Sequence, residues 1–184
     1  SSFSLCSNFI GDLTIPTGVF ISLFLWIISG IQRISSHSFS GCSKLTGSLS
    51  LPLLLTNIED NAFSYCKCFE GTLSIPNRVE SIGDEAFREC HGFNKLILSN
   101  MMTIISNSSF YGCNGLKGSF KLNIPNSIKI IQSYSFYNCS NFNENLILPS
   151  ELEIIGKQSF GLTNFAYIEY KGIKEPTCDE NIGL

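Results

Sequence analysis

The stretch Leu73-Ser74-Ile75-Pro76-Asn77-Arg78-Val79-Glu80-Ser81-Ile82-Gly83-Asp84-Glu85-Ala86-Phe87-Arg88-Glu89-Cys90 decides the fold, because its pieces recur along the chain in one register. The closing Phe-x-x-Cys returns at Phe3–Cys6, Phe39–Cys42, Phe63–Cys66, Phe110–Cys113 and Phe136–Cys139, with a degenerate copy at Phe160–Thr163. The opening Leu-x-Ile/Leu-Pro unit returns at Leu13–Pro16, Leu49–Pro52, Leu122–Pro125 and Leu146–Pro149, and at Leu96–Ser99 with Ser in place of Pro. Successive Phe steps are 36, 24, 24, 23, 26 and 24 residues, and five of six Pro(Ser)-to-Phe distances are 11. Apolar residues held in fixed slots of a ~24-residue period mark a solenoid of about seven turns, in which each turn covers its neighbours' apolar face.

The slots predict local structure. In Leu73-Ser74-Ile75 the alternation sends Leu73 and Ile75 inward and Ser74 outward, as in a half-buried strand. Pro76 follows at the strand exit, where a missing N–H costs least. Val79 and Ile82 return to the core, Gly83-Asp84 turns the chain, and Asp84 is placed to cap a short helical turn carrying Ala86, Phe87 and Cys90. The residue before each Phe is small (Ser38, Ala62, Ala86, Ser109, Ser135, Ser159), which leaves room for the rings to stack.

Composition narrows the function classes. The chain has 184 residues, 43% of them apolar and 15% charged, with a net charge of −3. That is too apolar and too weakly charged for a disordered chain. Twelve Lys+Arg against fifteen Asp+Glu give no footprint for nucleic acid. His37 and His91, at unrelated phases, accompany no Ser/Asp or Cys/Asn set for nucleophilic catalysis. Glu80, Asp84, Glu85 and Glu89 cluster in one repeat only and read as a solvated acidic face rather than a carboxylate pair or calcium site. Cys66-x-Cys68 lacks the second ligand pair of a zinc site. The expectation is a protein without catalytic residues, cofactor, metal or small-molecule substrate.

The pattern L-x-I-P-x-x-V-x-x-I-G-x-x-A-F-x-x-C, present as Leu73 to Cys90, resembles the BspA-like (Treponema pallidum-type) leucine-rich repeat. The resemblance runs from Phe3 to about Cys178. The tail Tyr167-Ile168-Glu169-Tyr170-Lys171-Gly172, with Glu175-Pro176 and Cys178, resembles the way such arrays end or pause. The fold expected is therefore a leucine-rich-repeat solenoid, with short parallel strands on one face and turns or short helical segments on the other. The resemblance implies a non-enzymatic cell-surface or secreted protein that contacts other proteins, by adhesion to host or matrix proteins. A structural spacer in a longer surface protein and an intracellular scaffold are the alternatives. Residues 1–184 read as one array. The opening Ser, the lack of a signal-peptide pattern and the lack of polar capping repeats are those expected of a piece of a longer protein, with a terminal strand and tail over 165–184.

Binding is expected where outward strand positions line up: Thr14, Ser50, Ser74, Ile97, Asn123 and Ile147, flanked by Asp12, Ser48, Thr72, Lys95, Lys121 and Asn145. An uncharged insert, residues 20–31, interrupts the first full repeat; Val19 and Ile31 each suit the slot of Val79. It is too short for a membrane span, which needs ~20 apolar residues. It reads as a makeshift cap, as an irregularity, or as an exposed patch in which Phe24 and Trp26 grip a partner. Cys42, Cys66, Cys90, Cys113 and Cys139 share one slot, so their side chains point the same way; this predicts buried thiols that pack as small hydrophobes, not a disulfide framework. Cys68 and Cys178 fall outside that slot. Asn107-Ser108-Ser109 and Asn138-Cys139-Ser140 match the glycosylation tripeptide, and Asn107 is the better candidate because Asn138 adjoins a buried slot.

Overall fold

In the computed structural model, which describes residues 11–14, 30–116, 122–179 and 181–183, the chain winds as a parallel β-solenoid of about six turns. Each turn has three sides. The first carries the strands β1 (Gly11–Thr14), β3 (Leu45–Ser50), β5 (Phe69–Ser74) and β7 (Phe93–Ile97), paired in parallel in that order. The row resumes at an Asn123–Ile147 bridge and in the pair β10 (Leu146–Leu148) and β12 (Ile168–Tyr170). The second side is a ladder of two-residue strands: β2 (Arg33–Ile34), β4 (Asn57–Ile58), β6 (Ser81–Ile82), then β8 (Ile104–Ile105), β9 (Ile130–Ile131), β11 (Ile154–Ile155) and β13 (Thr177–Cys178).

The third side takes the first of the two expected forms, turns and not short helical segments. Among the described residues it holds no helix; the chain there alternates with left-handed residues two before and two after each Phe. Asn61 and Tyr65 flank Phe63, Glu85 and Glu89 flank Phe87, and Tyr134 and Asn138 flank Phe136, all with φ between 55° and 61°. This alternation turns every second N–H along the solenoid axis. Asn61, Phe63 and Tyr65 donate to the carbonyls of Asp84, Ala86 and Arg88 at 2.7–2.9 Å, and Glu85, Phe87 and Glu89 donate to Asn107, Ser109 and Tyr111. A helical turn would have satisfied these groups locally and left the turns unjoined.

The core is a set of columns, one residue per turn. Ile34, Ile58, Ile82, Ile105, Ile131 and Ile155 are all buried, as are Leu55, Val79, Met102, Ile128 and Leu152. Ile31, 38% exposed, does not fill that second column as Val79 does; Val19 lies outside the described residues. Phe39, Phe63, Phe87, Phe110, Phe136 and Phe160 form one stack with ring centroids 5.1–5.8 Å apart. The slot cysteines follow the same logic. Cys90, Cys113 and Cys139 are buried free thiols, and each Sγ donates to a Phe carbonyl one turn back (Phe63, Phe87 and Phe110, 3.1–3.2 Å). Burial pushes the Cys113 thiol from its ordinary value of 9.0 up to about 12, and raises those of Cys90 and Cys139 well above it.

The spacing irregularities have structural counterparts. Gly47 and Gly71 sit at φ 73° and 74°, pairing with Phe69 and Phe93, and the register slips between Gly71 and Thr72. Ser48 consequently lies opposite Glu70, where equal slots would place Thr72. β7 runs Phe93-Asn94-Lys95-Leu96 without that glycine, which makes its repeat one residue short: the 23-residue step.

Candidate functional site

The outward column on the first side is placed by strand alternation. Thr14, Ser50, Ser74, Ile97 and Asn123 are exposed, and Ile147 is half-buried. Register joins Thr14 to Ser50, Ser74 to Ile97 and Asn123 to Ile147. Ser48, Thr72 and Lys95 beside it are exposed and Asn145 is half-buried, while Lys121 lies outside the described residues. The column itself carries no charge. Its six positions at ~4.8 Å steps make a strip about 25 Å long. Phe24 and Trp26, with most of the 20–31 insert, also fall outside the described residues.

The acidic residues of the Leu73–Cys90 repeat go to separate structural tasks. The Asp84 carboxylate accepts the Asn107 N–H at 3.1 Å, and the Asp84 N–H in turn donates to Asp60 Oδ1 at 2.9 Å. Glu59 receives the Ser36 N–H, Gln132 that of Asn107, and Asp179 that of Lys157, so a side-chain oxygen seals the corner of several turns. The Ser36 N–H holds the Glu59 carboxyl below its ordinary value; burial opposes this, and the Ser36 hydroxyl and Arg33 assist. Glu85 lies 3.7 Å from Arg88, Glu89 meets His91 at 2.7 Å, and Glu80 is exposed. A groove of about 440 Å³ passes these corners, lined by Arg33, Glu59, Asp60 and Asp84 among others, but its carboxylates already hold backbone N–H groups or Arg33. Among the described residues no three His, Cys, Asp or Glu side chains converge to hold a metal, and no helix is long and apolar enough to cross a membrane.

Asn107 is half-buried at one such corner, and its side-chain amide donates to both Asp84 oxygens at 3.3–3.4 Å. Asn138 has φ 58° and precedes the buried Cys139. Cys68 and Cys178 are exposed, and His37 is an exposed left-handed residue.

One feature escapes repeat reading. On the third side the Arg88 guanidinium sits over Tyr111, 4.1 Å from its ring centroid, and Tyr111 stacks on Tyr137 at 5.1 Å. Tyr65 accepts a hydrogen bond from Arg88 Nε at 3.3 Å, and Tyr134 meets Tyr137 edge-on. Burial disfavours the Arg88 charge, but Tyr65 and Glu85 outweigh it and hold its pKa above the ordinary value. The signal is scattered because Tyr65 stands two residues after its Phe, whereas Arg88, Tyr111 and Tyr137 stand one after theirs.

Comparison with known proteins agrees with this geometry. The sequence model described as the BspA type leucine rich repeat region, in six copies, matches residues 24–119 and 56–175. Among solved structures, a Treponema pallidum leucine-rich repeat protein superposes with a TM-score of 0.76 at 21% identity, over 91% of this chain and 72% of that one. A leucine-rich repeat protein from Bacteroides ovatus gives 0.64 at 26% identity, over 97% and 51% respectively. A leucine rich cell surface protein from Faecalibacterium prausnitzii gives 0.52 at 20% identity, over 94% and 62%. The chain thus spans about half of the Bacteroides structure and under two thirds of the Faecalibacterium one. Curated proteins give no match.

Proposed function

This chain belongs to the BspA-type leucine-rich-repeat family, and from that premise we propose that it is a non-enzymatic cell-surface or secreted module that adheres to host or matrix proteins through its outward strip. The observation carrying this reading is the column Thr14, Ser50, Ser74, Ile97, Asn123 and Ile147: uncharged, open along the first side, and about 25 Å long. A strip of that length suits the ~800 Å² per partner of a standard protein–protein interface. A long, shallow, uncharged surface favours broad contact over enclosure of a small molecule. The Faecalibacterium relative is called a cell surface protein, which supports the same location here. Phe24 and Trp26 are a second contact on this reading, and Asn107 is a glycan acceptor only where its amide leaves Asp84.

The test is binding of the 184-residue chain to immobilised extracellular-matrix and plasma proteins, compared with a Ser50→Glu/Ser74→Glu variant. Saturable binding that the variant loses while keeping the parental melting curve supports the strip. Equal binding by both moves the contact to the Phe24/Trp26 insert, and binding by neither makes the array a spacer.

A further inference from the structure

Asparagine side chains are used in two ways along this solenoid. Some stitch one turn to the next: Asn57 donates to Ser81 Oγ at 2.7 Å, Asn107 to Asp84, Asn141 to the Asn114 carbonyl, and Asn164 to the Ser140 carbonyl at 2.6 Å. Asn100, Asn123 and Asn126 do not. They line one groove of about 350 Å³ with Ile124, Pro125 and Ser127, and no side-chain hydrogen bond ties their amides to the described residues. Ser127 adds a hydroxyl that is shielded from solvent and has no hydrogen-bond partner.

The chemistry of the groove selects the ligand. Its described lining residues carry no charge, so none of them pairs a cation with a phosphate, sulfate or carboxylate. Each amide presents a donor and an acceptor side by side, a fork that matches the neighbouring hydroxyls of a sugar ring. An extended peptide offers its polar groups along a line at strand spacing, which suits a sheet edge better than amides gathered around one groove. Apolar surface stands close by. Ile97, 43% exposed, occupies the outward slot one turn before Asn123, and Met101, 56% exposed, follows Asn100; either can cover the C–H face of a sugar.

We propose that the groove formed by Asn100, Asn123, Asn126 and Ser127 binds a neutral, hydroxyl-rich glycan. The site shares Asn123 with the strip but needs no protein partner, so it stands or falls separately from the adhesion reading.

The experiment is binding of the 184-residue chain to a printed array holding neutral, sialylated and sulfated glycans, followed by titration with the best neutral glycan. Three variants accompany it: Asn126→Ala, Asn126→Asp, which keeps the side-chain shape but removes the donor, and Ser74→Glu, which lies on the strip outside the groove. The expected result is binding to a subset of neutral glycans, weakened about tenfold or more by both Asn126 variants and unchanged by Ser74→Glu. Matching melting curves establish that the variants are folded. Binding confined to sialylated or sulfated glycans, no binding to any neutral glycan, or undiminished binding by Asn126→Asp overturns the proposal. So does Asn126-dependent binding to an enzymatically deglycosylated protein, which assigns the groove to peptide. Loss of protein binding in Ser50→Glu/Ser74→Glu with glycan binding intact leaves this inference untouched.

Discussion

The second side of the solenoid has two halves built on the same inward residue and opposite outward ones. From Arg33 to Ile82 the inward isoleucines alternate with Arg33, Asn57 and Ser81, joined by polar contacts: Arg33 to Glu59 at 2.9 Å and Asn57 to Ser81 at 2.7 Å. From Ile104 to Ile155 the outward residues are Ile104, Ile130 and Ile154, in register, with Ile104 and Ile154 38–39% exposed. The halves meet where the Ser106 hydroxyl takes the Ile82 carbonyl, the bond that Gly83 and Gln132 N–H groups make to Ile58 and Ile105 in their own turns. The inward column stays isoleucine while its neighbour passes from cation to amide to alkyl. The fold is specified by the inward slot, and the outward slot is free to vary with what the surface contacts.

Four outcomes would break or sharpen that contrast, from the largest effect down. Phe87→Ala removes a ring held between Phe63 and Phe110 and is expected to cost about 3–5 kcal/mol in denaturant melts; a loss under ~1 kcal/mol would mean the stack is not what joins the turns. High pH comes next. A thiol whose pKa is raised by folding stabilises the native state fully below the unfolded value and loses that contribution as pH rises toward the folded value. Melting temperature should therefore fall between pH 9.0 and about 12, and fall less in Cys113→Ala, measured against each protein's own value at pH 7. Reactivity gives the same answer in another form. At pH 8 a thiol reagent should label Cys68 and Cys178 in the native protein but reach Cys90, Cys113 and Cys139 only on unfolding. The smallest effect belongs to the exposed Lys129–Glu153 pair at 3.0 Å, where Lys129→Ala should move the denaturant midpoint least of the four, and less still in high salt.

The period, the inward slots, the strand row and the solvent-facing strip were legible because each rests on a pattern two to twenty-four residues long. The third side was not. Ala86, Phe87 and Cys90 have a spacing that suits a helical turn as well as a left-handed corner, and the hydrogen bonds that decide between them lie a full turn away in sequence. A further inward column, Leu45, Phe69, Phe93, Leu116 and Phe142, had a readable signal in the apolar residue three places after each Cys. Of the four residues read as a solvated acidic face, Asp84 is exposed yet also accepts the Asn107 N–H, a partner 23 residues away that no local spacing announces. The asparagine groove gathers Asn100 from one turn and Asn123, Asn126 and Ser127 from the next, and its character comes from the bonds those amides leave unmade.

The division between inward and outward slots is tested most directly at Ile104 and Ile105, adjacent residues of the same type in one strand, the first 38% exposed and the second fully buried. Ile105→Ala and Ile104→Ala should be compared with the parent by denaturant unfolding. The inward change is expected to cost about 2–5 kcal/mol and the outward one under ~1 kcal/mol. Equal losses at the two positions would contradict the account, because the outward column would then be holding the fold together as much as the inward one.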